Sequence, residues 1–336
     1  MSMGRRRVNW LRVWLKCGFL VCLVSYVAIA IATFFMDNGG RVKAMLAEEM
    51  KDMTAPVIEL EGGDSMTIAV GDTLAEPGIK VYDNMAIPRV EVESLVDVEK
   101  AGEYKIHYWA TDGLGNIAER TRKVKVVQPT GRVYLTFDDG PSEYTGALLD
   151  TLKRYNVKAT FFVTGYGDDA LIRREYDEGH AVGVHSLTHN YAYIYANKGN
   201  YYADFEAVRE RVKNLTGEET HLMRFPGGSS NIVSRSYDGG HHIMSDLTRE
   251  VEERGMTYFD WNVDSDDAGH ADTADAVYNN VVSALKVGGD SVVLQHDAKP
   301  YSVEAVERII QYGLEHDYVF NKLSTSSCSS HHGVNN

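Results

Sequence analysis

From Arg132 onward, apolar strand-like runs alternate with helix-like stretches, and this alternation constrains the fold more than any other feature of the sequence. Val133–Phe137, Ala159–Val163, Ala181–His185, Leu222–Pro226, Thr257–Trp261 and Ser291–His296 read as strands. Thr145–Tyr155, Tyr202–Leu215, Ser245–Arg254, Ala271–Leu285 and Val303–Gly313 read as helices between them. A strand that is followed by a helix and then another strand builds a parallel sheet, either open or closed into a barrel. The stretch contains no internal repeat and no glycine-rich loop of the kind that cradles phosphate.

Polar residues collect where these strands end. The first strand runs into Asp138-Asp139-Gly140-Pro141, and the third into His185-Ser186-Leu187-Thr188-His189. The fourth carries Arg224 and Pro226-Gly227-Gly228, the fifth leads to Asp264, and the last ends in His296. In α/β barrels the C-terminal rim is where catalytic groups gather. Taken singly, Asp-Asp-Gly-Pro reads as a turn, and one His-x-x-x-His is a weak signal. In order, at five strand ends, they define a site.

The five segments resemble the motifs of the polysaccharide deacetylase family, also called the NodB-homology or carbohydrate esterase family 4 domain. They are Thr136-Phe137-Asp138-Asp139-Gly140, His185-Ser186-Leu187-Thr188-His189, Arg224-Phe225-Pro226-Gly227-Gly228, Asp260-Trp261-Asn262-Val263-Asp264 and Leu294-Gln295-His296. The match spans roughly Arg132 to Leu323 and implies a distorted (β/α) barrel of about seven strands. It implies a divalent metal, Zn²⁺ or another ion such as Co²⁺, held by Asp139, His185 and His189. Two histidines four apart on a helical turn would share one side, and three protein ligands leave a position open for water or substrate. The resemblance makes Asp138 the general base, paired with Arg224. It makes His296 the acid that protonates the departing amine, held charged by Asp264. Gly227 would offer its N–H to the oxyanion, and Trp261 and Leu294 would line the acetyl pocket. One departure stands out: the family often carries an aromatic residue at the position of Gly227.

Upstream, short strands separated by turns occupy Thr54 to Gln128, with Gly71-Asp72 and Asp112-Gly113 as turn pairs. Val70-Gly71-Asp72-Thr73, Ala101-Gly102-Glu103-Tyr104 and Ala110-Thr111-Asp112-Gly113-Leu114-Gly115-Asn116 resemble the bacterial Ig-like modules of surface proteins. This implies a β-sandwich that serves as a spacer or a wall-binding module.

The N-terminus sets the topology. Arg5, Arg6, Arg7, Arg12 and Lys16 precede Cys17–Met36, 20 residues without a charge. That length spans a hydrocarbon core of about 30 Å as a helix, and the flanking charges put the N-terminus in the cytoplasm. A cleaved signal peptide is the alternative, with Ala30-Ile31-Ala32 as a cleavage site. The expected organisation is 1–16 cytoplasmic, 17–36 a transmembrane signal anchor, 37–53 a stalk, 54–128 an Ig-like β-sandwich, 129–323 the catalytic domain and 324–336 a disordered tail. Past residue 36 the chain has 29 basic against 48 acidic residues, which excludes the basic footprint of a nucleic-acid binder. Three cysteines, Cys17, Cys22 and Cys328, make no disulfide framework.

The expected function is removal of N-acetyl groups from a cell-wall polysaccharide outside the cell membrane, with peptidoglycan N-acetylglucosamine as substrate. Chitin oligomers, an exported poly-N-acetylglucosamine, O-acetyl xylan, or wall binding without catalysis remain as alternatives. His180 reads as structural, His241 and His242 as solvated, and Cys328, His331 and His332 as part of the polar tail. Tyr191, Tyr193, Tyr195, Tyr201 and Tyr202 read equally as sugar contacts or as loop packing.

Overall fold

The computed structural model describes residues 27, 31, 52–85, 87–328 and 330–335. The expected membrane span Cys17–Met36 lies outside these, apart from Val27 and Ile31, which are helical and exposed. Among the described residues no helix is long and apolar enough to cross a membrane. The chain divides into two compact units. One holds the described part of residues 1–57 with Val81–Val90 and Ala110–Ala118; the other holds Ile58–Lys80, Glu91–Trp109 and residues 119–336. Segment 54–128, expected as one sandwich, contributes to both.

Strands β1 (Val57–Leu60) and β3 (Ile79–Tyr82) form a two-stranded sheet. Strands β2 (Ser65–Ala69), β4 (Arg89–Ser94), β5 (Gly102–Thr111) and β6 (Ile117–Val127) form another, in the order β2-β6-β5-β4. Every second residue of β5 and β6 turns inward, so Ile106, Tyr108, Val124 and Val126 are buried. Asp112 makes the expected turn between them, accepting from the N–H groups of Leu114 and Asn116 at 2.8 Å. Arg122 is fully buried, with Glu76 Oε1 at 2.8 Å and the carbonyls of Glu61 and Gly78 at 2.7 and 3.0 Å. Within the larger unit, Ala69 and Val127 share a small apolar core with Val319, and Arg132 donates to both oxygens of Asp72 at 2.8 Å.

The remaining strands are β7 (Gly131–Asp138), β8 (Thr160–Thr164), β9 (Ala181–Ser186), β10 (Leu222–Met223), β11 (Thr257–Tyr258), β12 (Val263–Asp264), β13 (Asp290–His296) and β14 (Tyr318–Phe320). Seven are parallel neighbours in the order β11-β10-β9-β8-β7-β13-β12, and β14 pairs with the start of β7. The sheet is a half-barrel whose path ends at β11 and β12. Its helices are α1 (Thr145–Arg154), α2 (Asp169–Asp177), α3 (Tyr191–Ile194), α4 (Lys198–Thr216), α5 (Ile243–Glu253), α6 (Ala274–Ala284) and α7 (Pro300–Glu315). Helix α2 was not foreseen, because Arg173, Arg174, Asp177 and Glu178 leave it only a thin apolar stripe, with Ile172 buried. β7, β8 and β9 are buried along their lengths, as strands covered on both faces must be. Strands β10 and β11 are shorter than expected. Beyond Met223 and Tyr258 the two strands end, and the Arg224 side chain bridges the gap by donating to the carbonyls of Phe259 and Asp260.

Within the tail expected to be disordered, the described residues 330–335 bond to the barrel. Ser330 O accepts from Asp260 N–H at 2.7 Å, and the His331 ring stacks on Tyr258 with centroids 3.8 Å apart. A polar composition suggested solvent, but these polar groups find partners on the barrel.

Candidate active site

Asp138 and Asp139 sit where β7 ends. His296, at the end of β13, lies opposite Asp138 in the parallel register. His185 ends β9, and His189 follows on a tight turn. The expected helical turn between the two histidines is absent: residues 186–189 turn back sharply, and His189 has φ 50°. Asp204, from α4, pins that turn. Its buried carboxylate accepts from Ser186 Oγ, Leu187 N, Thr188 N and Thr188 Oγ1 at 2.7–3.0 Å. Sequence reading missed Asp204, because it lies 15 residues from His189 and belongs to a helix pattern.

Asp139 and His189 both occupy the left-handed region, at φ 72° and 50°. Such conformations cost energy and collect at functional sites. They aim the side chains at one point. His185 Nε2 and His189 Nε2 each lie 3.6 Å from Asp139 Oδ1. The three donor atoms fall within 4.8 Å of one another. Asp139 Oδ1 is buried with no hydrogen-bond partner, which for a carboxylate oxygen is costly unless a cation sits beside it. His185 Nδ1 lies 2.9 Å from the Arg224 carbonyl, so it carries the proton and Nε2 presents its lone pair to the site. Burial lowers the His185 pKa, outweighing the opposing pull of Asp138 and Asp139, so the ring is held neutral. Two imidazoles and a carboxylate are a donor set that fits a divalent ion with an open position.

Asp138 is 3% exposed. Its Oδ1 accepts from Arg224 NH1 at 2.9 Å. Arg224 is fully buried and spends its other donors on Thr136 Oγ1, Phe259 O and Asp260 O, at 2.6, 2.9 and 3.0 Å. It lies over the Phe162 ring, 4.5 Å from the centroid. A guanidinium so fixed orients the one carboxylate it reaches.

The expected partner of His296 is corrected. Asp267, not Asp264, holds it: Nδ1 and Asp267 Oδ1 are 2.7 Å apart, and His296 N–H donates to Oδ2 at 2.7 Å. Asp264 is exposed and accepts from Trp261 Nε1 at 3.1 Å. The reason is the pleat: β12 ends at Asp264, whose side chain points outward, and three residues further the chain turns under β13. Burial works to lower the His296 pKa, but the hydrogen bond and charge of Asp267, with Asp138 and Asp139, prevail and raise it to about 9. Burial likewise opposes the Asp267 carboxylate, and His296 outweighs it, so that pKa is lowered.

Gly227 has φ 75°, and a Cβ there would meet Asn231 and the Tyr191 hydroxyl at 3.2 Å. An aromatic residue is therefore replaced by a glycine that the local backbone demands, with Tyr191 alongside. The tyrosines divide: Tyr195 and Tyr201 are core, Tyr202 lies under Arg254, Tyr191 packs edge-on against His189 at 5.1 Å, and Tyr193 is exposed. Trp261 is partly exposed, with its ring against Gly228. Leu294 is buried on β13. His180 is buried, accepting from Ala159 N–H at 3.1 Å, as a structural histidine would be.

Residues 125–239 match the family model for polysaccharide deacetylases, and residues 58–126 match the model for a bacterial surface protein Ig-like domain. The chain is similar to the catalytic domain of a peptidoglycan N-acetylglucosamine deacetylase from Eubacterium rectale, with 48% identity and a TM-score of 0.59 over 61% of this chain and 94% of that one. It is also similar to the crystal structure of the polysaccharide deacetylase Bc1974 from Bacillus cereus, with 36% identity and a TM-score of 0.50 over 58% and 93%. A Bacillus cereus peptidoglycan-N-acetylglucosamine deacetylase is 37% identical over 196 residues, 56% of this chain and 67% of that protein. The chain belongs to the polysaccharide deacetylase family and is an enzyme of the hydrolase class.

Proposed function

We propose that this enzyme removes N-acetyl groups from N-acetylglucosamine in peptidoglycan, releasing acetate and leaving a free amine. The carrying observation is the convergence on one point of Asp139 Oδ1, buried and unpartnered, with two histidine Nε2 atoms, flanked by Asp138–Arg224 and His296–Asp267. Asp139, His185 and His189 are the residues that would hold a divalent ion, Zn²⁺ or Co²⁺ suiting the donor set. Such an ion supplies Lewis-acid polarisation of the acetyl carbonyl and lowers the pKa of the attacking water.

The chain's own residues do the rest. Asp138, aimed by Arg224, takes a proton as the water oxygen bonds to the carbonyl carbon. The Gly227 N–H would donate to the oxygen on which negative charge develops. The C–N bond then breaks, and His296, charged through Asp267, gives its Nε2 proton to the leaving nitrogen. Trp261 borders the site on the side of Gly228, and Leu294 gives the wall behind it.

The substrate reading draws on relatives named for peptidoglycan and on the order of segments in this chain. Cys17–Met36 would anchor the protein in the cell membrane with residues 37–336 outside, and the Ig-like segment would carry the catalytic domain to the wall. The test is acetate release from purified peptidoglycan by the full chain with Zn²⁺ or Co²⁺. Chitin oligomers, poly-N-acetylglucosamine and acetylated xylan serve as competing substrates. No acetate from peptidoglycan, or faster release from another polymer, rejects the assignment.

A further inference from the structure

The half-barrel ends at β11 and β12, and Phe259–Asn262 connects them, bonded at its ends to Met223 of β10 and Val292 of β13. Residues 330–335 lie on this connector. Ser330 O accepts from Asp260 N–H at 2.7 Å, and His332 N–H donates to Asp260 Oδ2 at 2.8 Å. The His332 ring stands edge-on to Trp261, centroids 4.8 Å apart, with Nε2 2.6 Å from Trp261 O. A carbonyl only accepts, so Nε2 carries the proton. Nδ1 then accepts from Ser230 Oγ at 3.1 Å. Asn335 donates to Ser230 O at 2.9 Å.

Asp260 joins these contacts to the candidate site. It is fully buried, and its carboxylate accepts from Ser229 N–H at 2.7 Å, from Ser229 Oγ and from the His332 N–H. Its carbonyl accepts from Arg224, which holds Asp138. One buried residue thus ties residues 330–335 to the Gly227–Ser230 loop through its carboxylate and to the guanidinium behind the base through its carbonyl. A buried carboxylate that loses a donor must find another or move.

We propose that residues 330–335 form a strap that fixes the Phe259–Trp261 connector against the Gly228–Ser230 loop, with His332 as a positioning residue for the Gly227 N–H and the Trp261 side of the cleft. This rests on the deacetylase roles given above for Gly227, Trp261 and Asp138. His332 touches two loops at once, and neither ring nitrogen is left over for another task.

The test compares the full chain with His332→Ala and His332→Gln. Glutamine places an amide N–H where Nε2–H reaches Trp261 O. Three quantities are read: kcat and KM for acetate release, bound metal, and hydrogen–deuterium exchange in 226–231 and 259–262. His332→Ala is expected to lower kcat about tenfold or more, in line with the cost of small displacements in a site. KM and metal content should stay within about twofold, exchange should rise in both segments, and His332→Gln should recover most of kcat and protection. Unchanged exchange in both segments, raised exchange with unchanged kcat, or a kcat loss matched by lost metal overturns the strap. If the wild-type chain releases no acetate, the deacetylase roles fail. The exchange comparison then still decides whether the strap holds the loops.

Discussion

His296 Nδ1 lies 2.7 Å from Asp267 Oδ1, and both groups are nearly buried, so the histidine is kept as a cation in a place where burial alone would discharge it. Asp264, three residues earlier, is bonded to Trp261 instead. Asp267→Asn should therefore lower kcat by about 10–100-fold and move the alkaline limb of the rate profile, set by a His296 pKa of about 9, toward lower pH. Asp264→Asn should leave that limb in place. Initial rates of acetate release between pH 6 and 10 check both.

The base and the ligands separate by metal content. Asp138→Asn should lower kcat by about 10²–10⁴-fold and keep the bound metal. Asp139→Asn and His189→Ala should lose metal and activity together. Elemental analysis beside the acetate assay distinguishes them, and chelation should silence the wild-type enzyme until Zn²⁺ or Co²⁺ is restored.

Asp204 acts on the metal site through the turn it pins. Asp204→Ala removes the acceptor of four hydrogen bonds around Ser186–Thr188. Metal affinity should weaken by about 10–100-fold, as for other residues that orient ligands. Competition with a chelator of known affinity measures it.

His180 is a source of acid sensitivity. Burial, aided by the charges of Lys158 and Lys322, lowers its pKa from 6.5 to about 3. Between those values the unfolded chain binds a proton that the folded chain refuses, so stability is intact above the upper value and declines as pH falls toward the lower. His180→Asn keeps an acceptor for Ala159 N–H and removes the titration. Its urea midpoint should fall less than wild type from pH 7 to pH 4.

Arg122 should prove the most sensitive position of the upstream strands. It is fully buried and bonded to Glu76 and to loop carbonyls. Arg122→Ala leaves these unpaired and should cost about 3–5 kcal/mol, seen in denaturant unfolding, with the acetate kcat preserved.

The sequence carried a great deal of this on its own. The alternation of strands and helices gave the parallel sheet, because apolar periodicity is written locally. Asp138, Asp139, His185, His189, Arg224 and His296 could be singled out because they sit in short motifs at strand ends. Tertiary structure decided what depends on distant segments meeting. Whether Asp264 or Asp267 reaches His296 turns on where β12 ends and which way its last side chain points. Asp204 became a support for the ligand turn only when α4 packed beside β9. Residues 330–335, polar enough to read as solvated, found their partners on a connector about 70 residues earlier in the chain. Spacing along a chain records which groups can be neighbours on one element. Hydrogen bonds between elements form only after packing has chosen which donors and acceptors are buried together.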